Sequence, residues 1–303
     1  VRELGAWLTE PFGGYLGGVR LAGGGWVEGV SGLSFTTTST NAAWTPTTVT
    51  KSGGTLTWRV YSAAGVLLLE SVANKPTFNL SSYSGTKTLR VTSPDGWAGL
   101  TALNFTDVTA DIASLNLAVA TGLTSLYLNT LTGLTWTVGA SAPMPTNLTS
   151  LYLNNLTGLT WTVGASAPMP TGLTSLTLIT LTGLTWTVGA SAPMPTGLTS
   201  LTLYNLTGLT SVTVWDGINA IHDIRYENNL AQAQVDAVLS AIHANKANYT
   251  YATPSLDLAG VNNAAPSGIY QSTCPPVDGN EYKYDLVNGI CEPAGPEWVV
   301  VTA

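Results

Sequence analysis

The chain is poor in charge. Only 9% of its 303 residues are Asp, Glu, Lys or Arg, against about 25% in an ordinary soluble domain. Intrinsic disorder is not the explanation, because disordered chains are polar and charged, whereas 45% of this one is apolar. The surface must therefore be covered by Thr, Ser, Asn and Gly. Ten basic against 17 acidic residues give a net charge of -7, with no basic stripe for a phosphate backbone, so no nucleic-acid partner is expected. No run of about 18 apolar residues could cross a bilayer, so no membrane span is expected. The opening residues, Val1-Arg2-Glu3-Leu4-Gly5-Ala6-Trp7, contain no apolar signal-peptide core.

Groups that carry chemistry are scarce as well. The two cysteines, Cys274 and Cys291, and the two histidines, His222 and His243, do not supply the four suitably spaced ligands of a zinc site. The cysteines form either a local disulfide or a pair of reduced thiols. Acidic residues gather only around Asp216, Asp223 and Glu227, too sparsely for a glycosidase pair. No glycine motif sits between a strand and a helix in a phosphate-binding arrangement. Both histidines read as structural. The expectation is a protein without catalytic residues, metal or cofactor, and not an enzyme.

What the chain has in abundance is repetition. Thr121–Pro145 reads TGLTSLYLNTLTGLTWTVGASAPMP, Thr146–Pro170 reads TNLTSLYLNNLTGLTWTVGASAPMP, and Thr171–Pro195 reads TGLTSLTLITLTGLTWTVGASAPMP. A fourth unit starts at Thr196 and diverges after Leu209. Each unit carries L-x-x-L-x-L, as at Leu123, Leu126 and Leu128, and the alternation Leu126-Tyr127-Leu128 is the period of a strand. Stacked coils then place Leu126, Leu151, Leu176 and Leu201 in one buried ladder. Leu134 to Val138 alternates too and reads as the return strand, with Trp136, Trp161 and Trp186 in the core. The Gly-, Ala- and Pro-rich stretch after it is the turn between coils. The less regular Leu100–Phe105 and Ile112–Leu117 read as two preceding coils. Val235, Val238, Leu239 and Ile242 stand at helical spacing, so the coils are expected to close on a capping helix.

The 25-residue period and the L-x-x-L-x-L spacing resemble the leucine-rich-repeat family. That family places an Asn after the third Leu. Asn129 and Asn154 stand close to that position, while Ile179 and Tyr204 break the series. Thr-rich strands from Thr47 to Thr92, with Asn74-Lys75-Pro76-Thr77-Phe78 and Gly85–Val91, resemble a PKD-like domain, although the Gly-Asp-Gly turn expected after Trp58 is missing. The last quarter is similar to modules that follow leucine-rich repeats in environmental phage tail and surface proteins, which implies a virion or extracellular setting. The fold expected is mainly β, a leucine-rich-repeat-type solenoid between two smaller modules. Residues 1–33 are a Gly/Trp-rich arm, 34–95 a PKD/Ig-like β-sandwich, 96–248 the solenoid with its capping helix, and 249–303 a C-terminal β module.

From Ile112 to Trp215 there is no charged residue. Soluble repeat proteins usually mix both signs on their surface, so a long neutral face points to burial against another molecule. Parity puts Tyr127, Tyr152, Thr177 and Thr202 outward, opposite the leucines, as the candidate interface. The T-x-T pairs beside each Trp, such as Thr135/Thr137, resemble the rungs of ice-binding solenoids, although Thr is equally a good strand former. The function expected is that of a non-enzymatic, virion-associated tail or fibre protein that packs against its own copies or other virion proteins. The alternatives are a subunit of a self-assembling extracellular filament or sheath, and a glycan-binding adhesin.

Overall fold

The computed structural model describes residues 18–20, 26–28, 32–106, 111–140, 142–187, 192–206, 209–211, 223–227, 229–259, 263–291 and 294–303. Within the expected arm, β1 (Gly18–Arg20) and β2 (Trp26–Glu28) pair antiparallel. The rest of that arm lies outside the described residues.

Period-2 alternation of Leu with Ser, Tyr, Asn and Thr makes one strand per repeat: β10 (Ser125–Asn129), β12 (Ser150–Asn154), β14 (Ser175–Ile179) and β16 (Ser200–Tyr204). They pair parallel in register, with Leu126 opposite Leu151, Leu151 opposite Leu176 and Leu176 opposite Leu201. All four leucines are buried. Burying one such side chain contributes about 1.5–3 kcal/mol, so the ladder adds to the cohesion between coils. The return strands β11 (Thr135–Val138), β13 (Gly158–Thr162), β15 (Leu184–Thr187) and β17 (Leu209–Ser211) form a second parallel sheet. Trp136, Trp161 and Trp186 point inward from it and are buried. The indoles of Trp161 and Trp186 donate to the carbonyls of Ala167 and Ala192, each at 3.0 Å. The Ala- and Pro-rich turn thus folds back to satisfy a buried N–H.

At the surface, one residue before each leucine strand, Thr124, Thr149, Thr174 and Thr199 form a hydroxyl ladder. Each donates to the backbone carbonyl of the corresponding residue one coil earlier, beginning at Thr101, over 3.0–3.2 Å. Coil contact is also tight at Gly158 and Gly183, where a Cβ would lie 2.2 Å from the Leu134 carbonyl oxygen and 1.9 Å from that of Leu159. Only glycine fits so close an approach.

The long sheet runs well past the repeats. Towards the N-terminus it takes in β8 (Leu100–Thr106), parallel to β10, and then β4 (Thr48–Lys51), antiparallel to β8. Towards the C-terminus it adds β18 (Asp223–Glu227), β19 (Ser255–Leu258) and β20 (Val299–Thr302), all parallel. The N-terminal module contributes a five-stranded sheet in the order β6 (Leu67–Val72), β5 (Thr57–Ser62), β7 (Lys87–Thr92), β3 (Leu33–Thr37) and β9 (Ser114–Asn116). It meets the wall of return strands where Ala113 donates to the Thr36 carbonyl and Thr135 donates to the Ala113 carbonyl. One hydrophobic core, from Leu33 to Trp298, lies between the walls.

The mainly β solenoid is as the sequence predicts; several of its finer expectations change. Ile112–Leu117 is not a second coil of the leucine sheet. Its strand β9 pairs antiparallel with β3, because Leu103 already lies opposite Leu126 and the residues between them must be the return limb. The boundary at residue 95 is bridged by β4 and β9, which tie the N-terminal module to both walls. Helix α1 (Gln232–Ala244) forms with Val235, Val238, Leu239 and Ile242 buried, but it is the return limb between β18 and β19 rather than a terminal cap. The expected C-terminal β module contributes two strands to the long sheet and contains a second helix, α2 (Gly279–Asn288). In the last coils helices take the place of return strands. The T-x-T pairs do not stack in columns: Thr137 faces Thr160 and Thr162 faces Thr185, a two-residue stagger from coil to coil.

Candidate functional site

The outer face of the long sheet is built from the positions that alternate with the buried leucines. Its central row, in register, is Asn104, Tyr127, Tyr152, Thr177, Thr202, Arg225, Asp257 and Val301. The four residues singled out by parity, Tyr127, Tyr152, Thr177 and Thr202, are therefore consecutive on one face, and each is half-buried. Ser125, Ser150, Ser175 and Ser200 form the row on one side. On the other side run Asn129, Asn154, Ile179 and Tyr204. Asn154 donates to Asn129 across 2.8 Å, and Ile179 ends that ladder as expected.

The tyrosine rings stack on each other, with centroids 4.2 Å apart and planes 11° from parallel. Burial, followed by the neighbouring Tyr152 and its hydrogen bond, holds the Tyr127 hydroxyl above its ordinary pKa. From Tyr127 to Thr202 the central row is uncharged. The first charge is Arg225, whose Nε lies 3.4 Å from Asp257 Oδ2. Beyond this pair the face turns apolar at the exposed Val299 and Val301. A depression of about 410 Å³ lies at this transition, lined by Thr202, Arg225, Asp257 and the two valines among others.

A second cluster escaped the sequence reading. His243 at the end of α1, Lys246 in the 3-10 turn Lys246–Asn248 and Asp285 in α2 are all buried. Asp285 Oδ2 lies 2.8 Å from His243 Nε2 and accepts from Lys246 Nζ, while Oδ1 accepts from the Cys291 amide. Lys246 also donates to the Cys291 carbonyl at 3.0 Å. Burial pushes the His243 pKa down, more strongly than Asp285 raises it. Burial by itself pushes Asp285 up, but hydrogen bonds from Lys246 and the Cys291 amide, the Lys246 charge and His243 together hold its carboxyl below the ordinary range. Cys291 is bonded to Cys274, so it offers no thiol. The cluster is a clamp joining the two helices to the disulfide loop. Glu281 is likewise absorbed, accepting from Thr273, Gln271 and the Val277 amide.

Among the described residues no group of three or more His, Cys, Asp or Glu could hold a metal, and no helix is long and apolar enough to cross a membrane. His222 and Asp216 lie outside the described residues. Comparison with protein-family models, with curated proteins and with solved structures gives no match. The leucine-rich-repeat and phage-tail resemblances therefore rest on the motifs alone.

Proposed function

We propose that this chain is a non-enzymatic structural protein whose long sheet presents its outer face to another protein surface, either a second copy or a neighbouring component of the same assembly. The observation that carries this reading is the uncharged row Tyr127, Tyr152, Thr177 and Thr202, in register on a rigid sheet. Such a face can be desolvated without stranding a charge, and stacked tyrosines offer large contact area at low entropic cost. The setting we propose is a virion or an extracellular layer. The Cys274–Cys291 disulfide supports an oxidising environment, and the scarcity of charge supports life within an assembly. A glycan-binding platform is less well supported, because each tyrosine already spends one ring face on the other.

The test is the double variant Tyr152→Lys with Thr177→Lys. Two lysines on a face that becomes buried leave unpaired charges without solvent, at a cost of about 3–5 kcal/mol for each such loss of pairing. The isolated chain keeps its thermal unfolding profile and loses assembly, read by sedimentation and electron microscopy. Normal assembly with both lysines in place would remove the outer face from consideration.

A further inference from the structure

The outer face of the long sheet is uneven in relief. Its coils are near copies of one another, yet the central row is bulky in the first two, at Tyr127 and Tyr152, and small in the next two, at Thr177 and Thr202. The row beside it steps the other way, from Asn129 and Asn154 to Ile179 and the exposed Tyr204. The row of Ser125, Ser150, Ser175 and Ser200 does not change. Both steps fall between β12 and β14. In strand order that boundary is the midpoint of the eight strands from β4 to β19, with β20 beyond them.

Such relief is self-complementary under one two-fold axis, lying in the contact plane and running along the strands between β12 and β14. That axis reverses the strand order and keeps each row on itself. Tyr152 of one copy meets Thr177 of the other copy, and Tyr127 meets Thr202. In the adjacent row Ile179 meets Asn154 and Tyr204 meets Asn129. Large thus sits on small in both rows. An axis across the strands would instead lay each coil on its own copy, Tyr on Tyr, and leave a gap over the threonines. Charge is compatible with the first axis: Arg225 falls opposite Asn104 and Asp257 opposite Thr48, so neither meets a like charge. The area suffices as well. Eight strands about 4.8 Å apart, each about five residues of ~3.3 Å, cover roughly 600 Å² on each copy and about 1,200 Å² in all, at the lower end of stable interfaces.

We infer that the occupant of the outer face is a second copy of this chain, paired face to face about that axis, with the tyrosine ridge of each copy on the threonine shelf of the other. The inference rests on the reading of the outer face as a contact surface and names its partner. The contact uses the same patch on both copies, so it is isologous and closes at two. Sheets stacked in this way keep their strands within about 30° of one another, as an axis along the strands allows.

Sedimentation equilibrium of the full chain, with size-swap variants, decides it. The wild type sediments with the mass of two chains. Thr177→Tyr sets bulk against Tyr152 twice in each pair and weakens dimerisation about tenfold or more. Tyr152→Thr opens two gaps and weakens it too. The combined Tyr152→Thr, Thr177→Tyr variant exchanges ridge and shelf, restores large on small, and dimerises within about threefold of the wild type. Thr and Tyr both suit a strand surface, and unchanged melting curves check that every variant folds. A wild-type chain that stays monomeric overturns the pairing; the wider reading of the outer face then stands only if Tyr152→Lys with Thr177→Lys still abolishes assembly with another component. Dimerisation that tightens in Thr177→Tyr overturns the pairing too, and so does a combined variant no better than Thr177→Tyr alone, because the face is then adhesive without being matched in shape. A dimer indifferent to all of these variants, the two-lysine one included, lies on another surface and overturns the outer-face reading with it.

Discussion

At the scale of single residues, the inward leucines were readable because a strand has a period of two, and a one-residue slip would expose the whole set. Leu151 is 1% exposed, between Leu126 and Leu176 in the sheet. Leu151→Ala should cost about 2–5 kcal/mol in a denaturant titration, the loss of transfer energy plus the cavity left behind. What the repeat did not reveal is the backbone at the following turn. Thr130, Asn155, Thr180 and Asn205 all adopt left-handed conformations, with φ of 56°, 52°, 51° and 52°. Asn tolerates that region and a β-branched Thr does not. The Asn that the family pattern puts beside this turn is only part of its logic; the next residue carries the strain. Thr180→Asn should therefore stabilise the chain by roughly 0.5–1 kcal/mol, seen as a higher unfolding midpoint. An unchanged or lower midpoint would mean that the Thr180 hydroxyl, 3.5 Å from Asn205 Nδ2, matters more than the backbone.

Among the elements, strands were easier to read than helices. α1 announced itself through Val235, Val238, Leu239 and Ile242. α2 went unread although its ends are marked: Asp278 accepts from the Glu281 amide at the N-terminus, and Gly289 turns left-handed at the C-terminus, the expected cap residues at each end. Its interior, Asn280-Glu281-Tyr282-Lys283-Tyr284-Asp285, has little apolar periodicity because it buries Glu281 and Asp285 through hydrogen bonds rather than a greasy stripe. The clamp was hidden for a related reason: His243, Lys246 and Asp285 are brought together by packing of α1 on α2, and no local spacing encodes it. The clamp has a pH signature. The unfolded chain protonates His243 near the ordinary value of about 6.5, while the folded chain resists because the ring is buried. Stability is therefore complete above that pH and falls as pH drops towards the lower folded value. A second loss follows below the ordinary Asp range, where Asp285, held charged by its partners in the folded chain, is finally protonated. Urea unfolding across pH 7 to 5 should show the first loss in the wild type and not in His243→Gln (pH values of about this range bracket an ordinary histidine). An identical slope in both would place the titrating group elsewhere.

On the scale of the whole molecule, the solenoid was legible and its limits were not. Repeats are visible because identical units must stack on one another, but the flanking modules join the walls through β4, β9 and β20, which share no motif with their partners, and through β19, whose Ser255-Leu256-Asp257-Leu258 has the Ser-Leu-x-Leu of the repeat strands but follows a helical return limb. The outer face was legible in composition, since parity alone assigns Tyr127, Tyr152, Thr177 and Thr202 to one side. The tyrosine stack and the turn to charge at Arg225 and Asp257 emerge only with the register. A rigid, uncharged, hydroxyl-rich face is the feature that the account ties to assembly. The most direct measurement is hydroxyl-radical footprinting of Tyr127 and Tyr152 in the assembled protein and in the dispersed chain. Both rings are half-buried in the isolated chain, so they react when it is dispersed. Assembly should protect both tyrosines strongly, while Tyr83 in the N-terminal module keeps its reactivity. Equal labelling of Tyr127 and Tyr152 in the two states would show the face open to water in the assembly and would contradict the proposed role.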